Sequence, residues 1–550
     1  MRLWAMAVVS GVLQVLPFPI AGPVPVWRTA ICWVALLPLL MALTGKDANG
    51  NALGIGQGAA IGYASGFIWY MGGCYWIYAT MHIYGGISRP ASAGILVLFS
   101  LYLGLYHALF GALVAGFQHI RFRRRGLGAQ GTLLLSPFAW VAVELARTRI
   151  TGLPWDPLGV AQVDNPLLTR LAPIAGAYGI SFAIAAVNAL WMVRITLKER
   201  RYTRQALTAF GVAVVVLYVL FLRRIQPPVH EGTGAVATLV QENLEVGAAN
   251  SGPQLTKEEM LKDFSDLSLY PETNYCLGIP ELATTKCVRV IPIHKNATGA
   301  RVPMQTDLIV WPESPAPFDH NDPEFRKSMS NLARELAAPI IVGDWGMDAG
   351  APHEFDLHNS ADFIQPDGSF AGRYNKMHLV PFGEYTPFKR LFFFAGSLLQ
   401  DVGEFEPGTH RTVFKKGADT YGTFICYESI FGDEVRHFPD LGADVLVNIS
   451  NDGWYGDTAA AWQHLNMVRM RAIENHRWIL RATNTGVTVS IDPYGRVVMA
   501  VPRHIRTSLR VGFDYEHDIT FYAAHGDLFA YLCAAVTAAG LGLSLRRRAA

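Results

Sequence analysis

No Asp, Glu, Lys or Arg occurs between Asp47 and Arg89. A charge-free run of that length cannot cover the surface of a soluble domain. It is long enough for a membrane crossing, which takes about 20 mostly apolar residues. Eight segments qualify on this reading: Leu3–Ile20, Thr29–Thr44, Gly56–Ile77, Ser92–His119, Thr132–Ala146, Leu171–Val193, Ala206–Leu222 and Tyr522–Leu545. The second and fifth are short. Leu3–Ile20 has only Arg2 before it and no small-x-small cleavage site, so it reads as a span rather than a signal peptide. Gly54, Gly56 and Gly58 sit in an apolar context and are expected to let helices approach closely.

The acidic residues are segregated. Of 44, five precede Glu231, one (Asp527) follows residue 520, and the rest lie between Glu231 and Asp518. Charged residues make up 16% of the 550, against about 25% in a soluble domain. The expectation is a polytopic α-helical membrane domain over 1–224 with seven helices, a soluble domain over 232–518, and a last helix over 522–545. A net charge of +2 argues against a nucleic-acid binder. Six cysteines rule out a disulfide-built scaffold.

Basic clusters orient the spans. They are Arg121 with Arg123, Arg124 and Arg125, then Lys198 with Arg200, Arg201 and Arg204, then Arg546, Arg547 and Arg548. Eight spans with the N-terminus inside put all three in the cytoplasm and the soluble insert outside. Arg223 and Arg224 would then be outside, a mild conflict. A site outside has no supply of ATP, and the chain has no Walker-type phosphate loop. Glu144 falls at the end of the fifth span and reads as an interfacial residue beside Arg147, or as a functional intramembrane acid.

From Gly234 onward the hydrophobic period changes. Ala235–Val240, Asp307–Val310, Pro339–Val342, Thr423–Cys426 and Val445–Ile449 read as buried strands. Asp322-Pro323 opens a helix to about Leu336, and Ala460–Asn475 is a second. Ile364–Phe370 and Ile491–Val497 carry hairpin-turn chemistry. The alternation implies an α/β domain. Tyr270–Ala300 fits no element and reads as an inserted loop. Cys276 and Cys287 lie within it, either bridged or unpaired. Cys32, Cys74 and Cys533 fall in spans and read as packing residues.

Three chemically active positions sit at strand ends or after a hairpin: Glu313 after Leu308-Ile-Val-Trp-Pro312, Lys376 within Arg373–Glu384, and Cys426 closing Gly422-Thr-Phe-Ile-Cys426. A free thiol is little ionised at neutral pH and needs a base or a cation. Glu313 can take the proton, and Lys376 can hold first the thiolate and then an oxyanion. Taken singly, each has a plain structural reading: core cysteine, helix cap, solvated lysine. His378, His464 and His476 show no zinc-ligand spacing and read as structural residues or as supports behind the site, with no metal and no cofactor.

The blocks Trp311-Pro-Glu313, Tyr374-Asn-Lys-Met-His-Leu-Val-Pro-Phe-Gly-Glu384, Ile425-Cys-Tyr-Glu428 and Asn448-Ile-Ser-Asn-Asp-Gly-Trp454 resemble the nitrilase, or carbon–nitrogen hydrolase, superfamily. Gln463–Glu474 and Arg481-Ala-Thr-Asn-Thr-Gly486 strengthen the likeness. Joined to the spans, the whole chain resembles the apolipoprotein N-acyltransferase family.

That resemblance implies a four-layer αββα sandwich with Glu313 as general base, Lys376 as oxyanion cation and Cys426 as nucleophile. It implies that Glu384 positions Lys376 or assists proton transfer, that Tyr427 and Glu428 support the cysteine, and that Asn359 lies near the site. It makes Trp155, in Gly152-Leu-Pro-Trp155, a residue of the lipid entrance. The alternative for Trp155 is an interfacial anchor. The implied reaction moves an acyl chain from a phospholipid, typically phosphatidylethanolamine, through a Cys426 thioester. The acceptor is the amine of a diacylglyceryl-cysteine on an apolipoprotein. The implied place is the bacterial inner membrane with the catalytic domain periplasmic. Phe388–Leu399 reads as a lipid-contacting lid or a core segment. The rivals are a membrane-tethered amidase and a non-enzymatic lipoprotein-binding protein. The chain departs from the family after Gln241-Glu-Asn243, where no Trp follows.

Overall fold

The computed structural model describes residues 1–119, 121–122, 125–126, 128–196, 232–246, 255–271, 273–282, 285–290, 301–313, 318–349, 355–386 and 404–545. The expected span Ala206–Leu222, the Phe388–Leu399 segment and most of the basic clusters lie outside these residues.

Among the described residues, four helical stretches are long and apolar enough to cross a membrane: Val26–Leu43, Arg89–Phe117, Gly128–Thr151 and Leu168–Ile195. Arg2–Val15 and Leu528–Leu543 are shorter apolar helices. Their outward faces carry exposed Leu98, Leu105, Leu134, Ile174 and Leu532, an arrangement that suits lipid rather than water. Several boundaries differ from the sequence expectation. Val26–Leu43 is broken into short helices, Val26–Thr29, Cys32–Ala35 and Leu37–Leu43. The last segment begins at Leu528 rather than Tyr522, because Gly526 takes φ 60° and ends the short Phe521–His525 helix. Asp527 beyond it is buried and accepts hydrogen bonds from Tyr522 (2.9 Å) and Arg149 (2.7 Å).

The glycine expectation is half corrected. Gly58 of the Ile55–Gly73 helix lies against Gly111 of the Arg89–Phe117 helix, with no room for a Cβ on either, and Gly62 likewise meets the His107 backbone. Gly54 instead caps its helix and Gly56 faces open space. Sequence spacing identified a glycine-rich helix, but only the partner's position shows which face the partner covers.

The rest of the chain builds two facing sheets. One runs in the order Thr507–Phe513, Ala235–Gln241, Leu308–Val310, Ile340–Ala349, Phe355–Ile364, Phe370–Asn375. The other runs Val413–Lys416, Asp419–Ile425, Val445–Ser450, Ile479–Thr483, Val489–Ile491, Val497–Ala500, Thr273–Leu277, Cys287–Val290. Ala237, Leu239, Ile341, Ala361 and Phe363 of the first share a core with Phe424, Val447 and Leu480 of the second. The alternate residues Val240, Ile340, Val342 and Ile364 face the other way, onto the Lys257–Leu269 and Pro323–Leu336 helices. The Ala460–Asn475 helix covers the opposite sheet. Helix, sheet, sheet and helix thus form four layers. The Pro323–Leu336 helix starts where its sequence says, with Asp322 accepting from the Glu324 and Phe325 amides and Pro323 in the first turn.

Tyr270–Ala300 is not a structureless insertion. Thr273–Leu277 and Cys287–Val290 pair antiparallel and extend the second sheet by docking on Met499 and Ala500. Such an edge hairpin is fixed by a non-local partner, so local sequence signals are weak. Cys276 and Cys287 are opposite each other and joined by a disulfide. With 11 residues of separation, the bridge restricts the open hairpin by about 2–3 kcal/mol in the loop-entropy account. Cys276→Ser with Cys287→Ser therefore lowers hydrogen-exchange protection of Thr273–Leu277. The surroundings of Cys426 are expected to be unchanged, since the hairpin is at the far edge from the strand that leads into Cys426.

The membrane-type helices and the sandwich meet along a continuous apolar core. Tyr427, Phe431, Tyr455, Met467 and Ile473 pack in one cluster with Trp69, Trp155 and Ile180. Polar ties cross the same seam. Gln463 donates to the Pro19 and Gly73 carbonyls at 3.0 Å each, and Glu474 accepts from the Ala177 amide at 2.8 Å.

Candidate active site

Cys426 follows the buried strand Asp419–Ile425 and starts a 3-10 turn to Ile430. Its φ is 48°, a left-handed conformation that costs a side-chain-bearing residue energy and must be held by its surroundings. Glu428 supplies part of that hold. Its carboxylate accepts from the amides of Ile425 (2.7 Å), Met377 (2.7 Å) and His378 (3.2 Å) and from the Tyr374 hydroxyl (2.7 Å). It therefore ties the cysteine turn to the segment after Lys376. Burial pushes its carboxyl up to about 7, against these hydrogen bonds, which favour the anion. Glu428→Gln turns an amide group toward donors and is expected to cost about 1–3 kcal/mol of stability. The checks are a lowered thermal midpoint and a fall in acyl transfer.

Lys376 emerges just beyond the strand Phe370–Asn375, with its amide donating to the Asn359 carbonyl at 2.8 Å. Its ammonium is buried between two carboxylates, 3.1 Å from Glu313 Oε1 and 2.8 Å from Glu384 Oε1. Asn359 bridges the same two oxygens at 2.8 and 2.7 Å. The other oxygen of each carboxylate takes a backbone amide, Asn451 for Glu313 and Val380 for Glu384, at 2.8 and 2.7 Å. Burial would lower the lysine, but Glu313, Glu384 and Cys426 reverse that and hold it well above its ordinary value. It is a fixed cation. Burial, then the Glu313 charge, push the Cys426 thiol up, with Lys376 pulling it back. The resting group is a thiol, so a base is needed at the moment of attack.

The sequence-predicted Glu313, Lys376, Glu384 and Asn359 thus form one bonded cluster, whose charges act on Cys426. Tyr427 points to the helices, donating to the Gly152 carbonyl at 2.9 Å. Trp155 is 2% exposed. Its indole donates to Gln463 at 2.8 Å, and its ring stacks on His464 at 6.1 Å between centroids.

The descriptions of two family models match this chain. Apolipoprotein N-acyltransferase N-terminal domain covers residues 10–190, and Carbon-nitrogen hydrolase covers 279–511. A relative from Geobacter metallireducens, named apolipoprotein N-acyltransferase, is 33% identical over 558 residues, spanning 100% of this chain and 96% of the relative. The chain belongs to the apolipoprotein N-acyltransferase family. A relative of the same name from Methylococcus capsulatus is 32% identical, covering 90% of this chain and 88% of its own. A solved amidase of the nitrilase superfamily from Nesterenkonia AN1 aligns with 56% of this chain and 99% of its own, at 15% identity and a TM-score of 0.36. The family makes this protein an acyltransferase of lipoprotein biosynthesis.

Sequence reasoning missed the network behind Cys426. His464 lies between Asp452 (Nδ1 to Oδ1, 3.0 Å) and, through Nε2, the Ser429 hydroxyl (2.6 Å) and the Cys426 carbonyl oxygen (3.1 Å). Arg481 donates to Asp452 at 2.6 Å and also to Asn448. Burial would raise the Asp452 carboxyl, but Arg481 and His464 hold it below the usual carboxylate range. The family-like blocks Asn448–Trp454, Gln463–Glu474 and Arg481–Gly486 contain Asp452, His464 and Arg481. What they lacked was any spacing that shows they converge. Glu144, expected at an interface, is buried and accepts from Trp140 (3.0 Å) and the Leu158 amide (2.8 Å).

Proposed function

We propose that this protein transfers a fatty acyl chain from a membrane phospholipid to the free amine of a diacylglyceryl-cysteine at an apolipoprotein N-terminus, through a thioester on Cys426. The observation that carries this reading is the buried Glu313–Lys376–Glu384 cluster beside a strained cysteine, at a seam with apolar helices. Glu313 takes the thiol proton as Sγ attacks the ester carbonyl of the donor. Lys376 stabilises the oxyanion of the tetrahedral intermediate. Collapse expels the lysophospholipid alkoxide, which receives the proton from Glu313. The lipoprotein amine then attacks the thioester, loses its proton to Glu313, and Cys426 leaves as a thiol. Glu384 and Asn359 hold Lys376 and Glu313 in register, and Tyr427 couples the turn to the Gly152–Trp155 loop near the lipid entrance.

A site at a lipid seam serves two lipid-anchored substrates and keeps water from the thioester. Phosphatidylethanolamine is the donor this reading favours. The reading extends to eight spans with domain limits 1–224, 232–518 and 522–545. It also places the sandwich on the periplasmic face of the bacterial inner membrane. The three basic clusters support that orientation, and so does the Cys276–Cys287 disulfide, since such bonds persist outside the reducing cytosol.

Mass spectrometry of the Cys426 peptide after incubation with phospholipid tests the donor half. A mass shift equal to one acyl chain is expected, removable by hydroxylamine. Adding a diacylated lipopeptide should discharge it onto the peptide amine. Release of free fatty acid alone, with lipopeptide present, would favour a hydrolase and overturn the transferase reading.

A further inference from the structure

We propose that His320, Asp344 and Asp362 form a binding site for one divalent transition-metal cation of the Zn²⁺ type, separate from the Cys426 site. Asp344 and Asp362 stand on adjacent antiparallel strands, with Val342 opposite Asp362 and Asp344 opposite Ser360, so the two carboxylates share a face. It is the face turned away from the sheet–sheet core, toward the Pro323–Leu336 helix. The chain at His320 is tied to the same strand. The His320 amide donates to the Trp345 carbonyl at 3.0 Å, and the Trp345 amide to Phe318 at 2.8 Å. One ligand atom from each of the three residues lies within 4.8 Å of the others. His320 Nδ1 is 2.6 Å from Asp362 Oδ2 and 3.8 Å from Asp344 Oδ2.

Both aspartates are fully buried. Among the described residues, neither Asp344 oxygen has a hydrogen-bond partner, and nor has Asp362 Oδ1. Of the four carboxylate oxygens only Asp362 Oδ2 has a partner among the described residues, His320 Nδ1 at 2.6 Å, and so under-satisfied a buried pair is strongly disfavoured unless a cation or a shared proton neutralises it. The guanidinium on the neighbouring strand gives its hydrogen bonds elsewhere. Arg373, directly across from Asp362, gives its hydrogen bonds to Asp348 at 2.6 and 2.5 Å. Arg326 lies on the far side of the ring, 3.4 Å from His320 Nε2. One imidazole with two carboxylates is a donor set for Zn²⁺ rather than Mg²⁺ or Ca²⁺, and a small shift of the ring away from Asp362 and toward Asp344 brings three atoms to about 2 Å from one ion. Such an ion would pin the chain a few residues after Glu313 onto the strands that carry Asn359.

The test uses the full-length protein in detergent, stripped with chelator, reloaded with zinc chloride and desalted. Metal content and the zinc-dependent shift of the thermal midpoint are the readouts. The wild type is expected to retain about one zinc per chain and to melt higher with it than without. Asp344→Asn, which keeps the side-chain shape, and His320→Ala, at a partly exposed position, should each lose both effects. His476→Ala, in the more exposed His476–Glu516–Asp518 group, should keep them. A wild type that retains no zinc, with Asp344→Asn melting no lower, would mean that the carboxyls share a proton, and overturns the proposal. Equal zinc in all variants also overturns it, by placing the metal elsewhere.

Discussion

Cys426→Ala is expected to abolish acyl transfer, lowering the rate by at least about 10⁴-fold, because the proposed thioester forms on its sulfur. The hydroxylamine-sensitive adduct should vanish with it. The fold is expected to survive. Alanine is smaller than cysteine and keeps the same Cβ, and the left-handed turn is held by Glu428 and His464 rather than by the sulfur. A thermal midpoint close to wild type would therefore separate lost chemistry from lost structure. Retention of full transfer in this variant would remove Cys426 as the nucleophile, and with it the thioester route proposed above.

Lys376→Met is expected to fail in two ways at once. Losing one oxyanion-stabilising donor costs roughly 10²–10³ in rate. Removing the only ammonium hydrogen-bonded to both Glu313 and Glu384 among the described residues also strands two buried carboxylates close together. Breaking one side of such a buried pair typically costs about 3–5 kcal/mol. Asn359 still bridges the two oxygens but brings no charge. The predicted signature is a rate loss with a clear drop in thermal midpoint, unlike Cys426→Ala. Adding Glu384→Gln to Lys376→Met should recover part of the stability, by removing one stranded charge, and none of the activity. A double variant as unstable as the single one would contradict the charge argument.

The two variants divide the site by how each residue became visible. Cys426, Glu313 and Lys376 stand at strand ends or past a hairpin, where an α/β sequence exposes its reactive groups, and each was found from that placement together with family-like blocks. Glu384 and Asn359 carried no signal of their own beyond the resemblance. Their role rests on two oxygens shared with Lys376 and Glu313, and those residues lie far apart in the chain. His464 reads as structural or as a support behind the site, and Asp452 and Arg481 stand out only as members of family-like blocks. Their link to the Cys426 carbonyl is a tertiary fact. The hairpin at Thr273–Leu277 escaped for the same reason: its docking partner is more than 200 residues away in sequence.

The sequence by itself determined the class of protein. Lipid tolerates few charges and water demands many, so 38 of 44 acidic residues crowd into one insert and the apolar helices can be found without coordinates. Hydrophobic period and turn chemistry are local, and they located five of the strands and the Pro323–Leu336 and Ala460–Asn475 helices. Only the tertiary structure decided which residues meet. It buried Lys376 between two carboxylates, closed the Cys276–Cys287 bridge, and set Trp155 against the imidazole behind Cys426. It also brought His320, Asp344 and Asp362 together under a helix. Burial and charge pairing are properties of neighbours in space, and a one-dimensional pattern carries no record of them.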